Sequence, residues 1–137
     1  MSFRVLTWSN CPLIIHRPSA WPFFALAHIF VLPSRSEGSP LVLLEAMQAR
    51  LPIVATNVGA IPEIVQSEVS ALLVPPRDPQ ALAAAIARLL GDAQLATRLA
   101  EQAFHAVQRF TADDYAAALL SIYQELARRA GSLQARA

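Results

Sequence analysis

Lysine is absent from this chain of 137 residues, and arginine exceeds the acidic residues by only one. The resulting net charge of +1 gives no basic field on which nucleic acid could be held. Cysteine occurs once, at Cys11, so an internal disulfide is excluded and a reducing compartment is implied. Cys11, His16, His28 and His105 share no metal-ligand spacing, and no metal site is expected from them. Charged residues are scarce at 15% while apolar residues reach 55%, which excludes a chain disordered throughout. Long hydrophobic runs are also missing. The longest, Trp21 to Leu32, is too short to cross a bilayer and is bracketed by Pro22 and Pro33. Arg4, an apolar run and Ala25-Leu26-Ala27 outline a leader peptide. Asn10, Cys11, Pro12, His16, Arg17 and Pro18 break its core, so none is expected. The location implied is cytoplasmic, or peripheral to the inner face of the membrane.

What is present is one strand–loop–helix passage. His28-Ile29-Phe30-Val31-Leu32 reads as a buried parallel strand, and Pro33 stops it. Ser34-Arg35-Ser36-Glu37-Gly38-Ser39 is a small-residue loop. Ser39 then suits an N-cap and Pro40 a first helical position. A helix opening from such a loop offers free N–H groups and a positive dipole end to an anion. Glu45 is out of character among Leu41, Val42, Leu43, Leu44, Ala46 and Met47, because burying a carboxylate is costly without a partner. Helical side chains lean toward the N-terminus, which inclines Glu45 toward the loop carrying Glu37. Residue types alone leave two readings open. Two carboxylates flank an anion-friendly notch, suited to a ligand with phosphate at its centre and hydroxyls on both sides. Alternatively, Glu45 faces solvent and Glu37 merely decorates the loop.

Glu37 and Glu45, with Gly38, Pro40 and Leu44 between them, resemble the paired-glutamate motif of retaining GT-B glycosyltransferases, family 4 in particular. The similarity continues through Pro52-Ile53-Val54-Ala55-Thr56, Gly59, Glu63-Ile64-Val65, Leu72-Leu73-Val74-Pro75-Pro76 and Asp78-Pro79. It runs roughly from Ala25 to Arg129. The implied fold is α/β: a Rossmann-like parallel sheet with flanking helices, the later part of the C-terminal donor domain. The implied organisation is an altered, irregular segment over 1–24, a partial donor-binding domain over 25–131 and a disordered tail over 132–137.

Further elements follow in order. The helix from Pro40 should run to about Arg50, where the resemblance has a glycine in a left-handed C-cap. Pro52 to Ala55 is a second buried strand. The loop Thr56 to Ala60 returns to the same sheet edge as Glu37, where ligands of open parallel sheets gather. Ile61 to Val65 is a short helix, with Glu63 favouring its dipole. Relatives have glycines at the Glu68 and Ala71 positions. Positive φ is costly for other residues, so a rebuilt turn is expected here. Leu72-Leu73-Val74 is the third strand. Asp78 caps the next helix, with Leu82, Ile86, Leu89 and Leu90 as its apolar stripe and Gly91 as its end. Asp92 starts another, lined by Leu95, Leu99 and Ala103. Thr111 begins the last, with Tyr115, Leu119, Ile122 and Leu126 on the side it would bury and Gly131 at its end. The first domain that this helix meets in relatives is not represented, so its apolar face is expected to lie open.

The resemblance implies transfer of a sugar from a nucleotide-sugar donor with retention, without a cofactor or metal. It gives substrate-binding roles to Glu37, Gly38, Ser39, Leu43 and Glu45. Glu37 would bond hydroxyls of the donor sugar, backbone N–H groups near Gly38 and Ser39 would face sugar and phosphate, and Glu45 would hold the ribose. No catalytic acid or base is assigned. The pyrophosphate-holding part of the domain has no counterpart here, and Arg35 reads as a solvated loop arginine. The chain alone is therefore expected to be inactive. The competing reading is a non-catalytic Rossmann-like module acting through protein contact. Its partners would be a second copy or an N-terminal domain, met through exposed apolar faces.

Overall fold

The computed structural model describes residues 5–8, 11–14 and 21–134, with side chains over 21–129. Near the N-terminus, β1 (Val5–Trp8) pairs antiparallel with β2 (Cys11–Ile14), Val5 opposite Ile14 and Trp8 opposite Cys11. This antiparallel pair lies within the segment 1–24, most of whose other residues fall outside the described ones. Pro12 is tolerated in it because a two-stranded ribbon leaves one side of each strand unpaired.

The main body is a three-stranded parallel sheet with its helices on both faces. Its strands are β3 (Phe30–Leu32), β4 (Ile53–Thr56) and β5 (Leu72–Val74), in the order β3-β4-β5. Phe30 is opposite Ile53, and Val54 is opposite Leu72. Every residue of β4 is buried, as a central strand requires. β3 is shorter than expected and only half-buried, because it pairs with β4 alone among the described residues.

Alternation along β4 divides the core in two. Ile53 and Ala55 pack with Leu43, Ala46 and Met47 of α2 (Leu41–Gln48), and with Ile61 and Ile64 of α3 (Ile61–Ile64). Val54 points the other way. It packs with Leu72, Val74, Ala85 and Leu89 of α4 (Pro79–Gly91), and with Leu95 and Leu99 of α5 (Ala93–Val107). The far end of α5, through Ala103 and Val107, joins the first cluster, so this helix ties the two layers together. A one-turn α1 (Trp21–Phe24) precedes β3, with Phe24 edge-on to Phe30 at 5.9 Å.

The caps of α4 and α5 follow expectation. Asp78 Oδ1 accepts from Ala81 N–H at 2.9 Å, and Asp92 Oδ1 accepts from Leu95 N–H at 2.9 Å. Leu90 departs from it. It stands exposed, and half-buried Ala81 and buried Ala85 take the inward face with Leu82, Ile86 and Leu89.

α6 (Ala112–Gln134) continues through Gly131 rather than stopping there. Thr111 and Asp114 cap it reciprocally, the Thr111 hydroxyl donating to Asp114 Oδ2 and accepting from Asp114 N–H. Every residue from Thr111 to Gln124 is exposed, so Tyr115, Leu119 and Ile122, with Leu126 beyond them, form an open apolar side, not a buried one.

Candidate functional site

The carboxyl edge of the sheet carries the loop from Pro33 to Pro40, and four contacts hold it there. Thr56, at the end of β4, is only 5% exposed. Its hydroxyl donates to the Ser34 carbonyl at 2.6 Å and lies 3.4 Å from the Leu32 carbonyl. Ser34 Oγ donates in turn to Glu37 Oε1 at 2.5 Å. The Glu37 carbonyl accepts from Ala60 N–H at 3.2 Å. Gly59, at φ +53°, closes against that same carbonyl. Glu37 is therefore half-buried, with one carboxylate oxygen engaged by Ser34 and the rest of the group at the surface. The loops after β3 and β4 meet as expected. Ser34 and Thr56 do the holding, and their sequence signal was weak: a serine three residues before Glu37 and a threonine closing a strand.

The helix that follows begins one residue later than expected. Pro40 is its N-cap, with no side-chain cap bond, and Leu41 is its first residue. Ser39 is exposed and does not cap. The Leu43 N–H is taken by the Pro40 carbonyl at 2.9 Å. The N–H groups of Leu41 and Val42 precede the first turn's bonding pattern and point out of the helix end.

Burial separates two residues of this helix. Leu43 is fully buried, so its side chain is turned into the core. Glu45 is not enclosed. The 3.6-residue period places Leu43, Ala46 and Met47 inward and Leu41, Glu45 and Gln48 outward. Its apolar neighbours in sequence belong to the opposite face. The carboxylate is exposed and makes no hydrogen bond with a described residue. The structure thus assembles Glu37, Gly38 and the start of α2 at one edge, with Glu45 a turn along the outer face of that helix. Nearby, a cavity of about 440 Å³ is lined by Ser39, Leu41, Leu44, Phe110 and Tyr115 among others.

Among the described residues three non-glycine positions take positive φ: Arg50 (55°), Glu68 (63°) and Arg77 (62°). At Arg50 the left-handed cap survives without glycine. Leu51 N–H reaches the Ala46 carbonyl and Arg50 N–H the Met47 carbonyl, a Schellman pattern. Its guanidinium bonds both oxygens of Glu101 and lies 4.0 Å above the Phe104 ring. At Glu68 the turn is not rebuilt, contrary to expectation. Arg88 donates to both carboxylate oxygens at 2.5 and 2.8 Å, and Arg98 donates to the Glu68 carbonyl. The hydrogen bond from Arg88 holds the Glu68 carboxyl below its usual range.

Among the described residues no group of three or more His, Cys, Asp or Glu could hold a metal ion, and no helix is long and apolar enough to cross a membrane.

Comparison with known proteins adds to this geometry. The sequence profile of the family described as glycosyl transferases group 1 matches residues 12–92, beginning earlier and ending sooner than the resemblance did. An exopolysaccharide phosphotransferase of Streptomyces coelicolor is 40% identical over 116 residues, which are 83% of this chain and 12% of that protein. A D-inositol 3-phosphate glycosyltransferase of Jonesia denitrificans is 35% identical over 108 residues, 79% of this chain and 26% of that one. Among solved structures, sucrose-phosphate synthase from Thermosynechococcus elongatus superposes with a TM-score of 0.73 at 34% identity, over 80% of this chain and 28% of that one. Anabaena HepE, solved with UDP-glucose, superposes with a TM-score of 0.62 at 28% identity, over 80% of this chain and 29% of its own. The chain spans about a quarter or less of the length of the curated relatives named here.

Proposed function

Because this chain belongs to the glycosyl transferases group 1 family, with a fold like the C-terminal domains of GT-B enzymes, we propose that its carboxyl sheet edge is the donor side of a retaining, family 4 glycosyltransferase. The ligand of this reading is a nucleotide sugar. The observation that carries it is the clamped loop. Thr56, Ser34, Ala60 and Gly59 together fix Glu37 at the mouth of α2. Such fixation on a loop otherwise facing solvent suits a carboxylate that must meet sugar hydroxyls in one orientation.

In this reading the free oxygen of Glu37 accepts from hydroxyls of the donor sugar. Backbone N–H groups at Gly38, Ser39 and the first turn of α2 face the phosphates. Glu45, exposed and without a partner among the described residues, accepts from the ribose hydroxyls. These groups bind and orient; none is assigned as acid or base. The reading assigns no metal, and it carries a cytoplasmic location. A carboxylate–hydroxyl bond contributes roughly 1.5–3 kcal/mol, which alone does not hold a nucleotide sugar firmly. The 137-residue chain by itself is therefore proposed to bind donor weakly and not to turn it over.

The test is a titration of the chain with UDP-glucose, followed by amide NMR shifts. Shifts centred on residues 37–45 that vanish in Glu37→Ala and Glu45→Ala bear the reading out. A second reading, a non-catalytic module acting through protein contact, has the open side of α6 in its favour. It expects no response to UDP-glucose in either form of the chain.

A further inference from the structure

Eight arginines fall among the residues whose side chains are described, and six of them have a partner. Arg50 meets Glu101, Arg88 meets Glu68, Arg98 the Glu68 carbonyl and Arg109 the Glu63 carbonyl; Arg128 and Arg129 both meet Glu125. Arg35 and Arg77 make no hydrogen bond or ion pair with any described residue. These two, and no other described arginine, line a cavity of about 440 Å³ at the carboxyl edge of the sheet. The loop after β3 brings Arg35 to it, and the loop after β5 brings Arg77. Thr56 and Pro33 form its floor side, and Pro79 and Leu82 of α4 its flank.

Arg77 has a second peculiarity. Left-handed backbone is unfavourable for a residue with a Cβ. At Arg50 and Glu68, the other two such positions, the side chain is fastened by a two-pronged ion pair. Arg77 adopts the same conformation, and its guanidinium forms no ion pair or hydrogen bond with a described residue. The only carboxylate in the lining is Asp78, one of whose oxygens is engaged by the Ala81 N–H. Strain without a partner among the described residues fits a side chain held ready for a bound group.

We infer that the Arg35–Arg77 cavity is a second anion site, separate from the mouth of α2, taking a phosphate-type oxyanion. Two planar guanidinium groups from facing loops suit the several acceptor oxygens of a phosphoryl group. That group is either borne by a phosphorylated sugar or is free inorganic phosphate. The inference does not depend on the donor reading, since neither Glu37 nor Glu45 lines this cavity.

The experiment titrates the full chain with inorganic phosphate, with glucose 1-phosphate and with sodium chloride at matched ionic strength. Amide and arginine Nε–H signals are followed by NMR. Phosphate is expected to shift Arg35, Arg77, Thr56 and Leu82 saturably, and chloride to leave them in place. Arg77→Gly relieves the backbone strain, so it is expected to raise the Tm while weakening phosphate about tenfold or more. Arg35→Ala should weaken phosphate similarly. Saturation by glucose 1-phosphate at the same signals identifies a sugar-borne phosphoryl group, and saturation by inorganic phosphate alone identifies the free ion. Glu45→Ala keeps the two sites apart, weakening UDP-glucose and leaving phosphate bound at the arginines. Shifts that never saturate, that chloride reproduces, or that persist unchanged in Arg77→Gly overturn the inference.

Discussion

A Cβ placed on Gly59 would lie 1.8 Å from the carbonyl oxygen of Glu37. The two loops at the sheet edge are therefore in backbone contact, and glycine is required there for both space and φ. Gly59→Ala is expected to destabilise the fold by about 2–3 kcal/mol and to abolish the UDP-glucose response, since Glu37 must shift. Thermal denaturation beside the NMR titration checks both. A variant with unchanged Tm would show that the loops are not in contact.

Thr56 is the buried staple of the same edge. Thr56→Val keeps the shape but leaves the Ser34 carbonyl without its donor, at a cost of roughly 1–2 kcal/mol. Weaker UDP-glucose binding should accompany the lower stability, because the Ser34–Glu37 bond hangs from that carbonyl. Urea unfolding of the two proteins measures the first effect.

Arg50 sets opposing terms against each other. Replacement by glycine relieves about 1 kcal/mol of left-handed strain. It also removes a solvent-exposed pair with Glu101 and a cation–π contact with Phe104, each contributing roughly 0.2–1 kcal/mol. Arg50→Gly should therefore fall close to wild type, while Arg50→Ala, which keeps the strain and loses the contacts, should be about 1 kcal/mol below Arg50→Gly. Equal stability of the two variants would refute the left-handed cap.

Glu68 makes stability depend on pH in a defined direction. Its carboxyl is held below the ordinary value of 4.5, first by the hydrogen bond from Arg88. The folded state thus favours the carboxylate. The contribution is fully present above that ordinary value and is lost as pH falls through the lowered one. Both side chains are about half exposed, so the effect should be small and should shrink in salt. Tm measured from pH 7 down to pH 3 should fall less steeply in Glu68→Gln than in the parent chain.

The parts of the fold legible in the sequence were those with local chemical markers. Asp78 with Pro79, and Asp92 after Gly91, announce α4 and α5 through capping chemistry, and the apolar periods of both helices name most of their buried residues. The left-handed position at Arg50 could be anticipated from the resemblance, which has a glycine there as a helix C-cap. What was not legible depends on partners distant in the chain. Glu68 keeps its strained turn because Arg88 and Arg98, twenty and thirty residues later, converge on it. That Leu43 is buried and Glu45 exposed could not be read from the sequence, because an apolar run hides its own helical phase. The one-residue shift from Ser39 to Pro40 at the helix start lies within what local preference leaves open. Arg77 gave no signal at all, since its interest lies in the cavity it shares with Arg35.

The long terminal helix has one more implication, for how the chain melts. A segment of 23 residues whose first half buries nothing draws its stability from alanine content, its Thr111–Asp114 cap and pairs such as Glu125 with Arg129. Such a rod is marginal in water and is not cooperatively joined to the sheet. Heating should therefore give two events by circular dichroism, a shallow early loss of helical signal from α6 and a later sharp collapse of the parallel sheet with its packed helices.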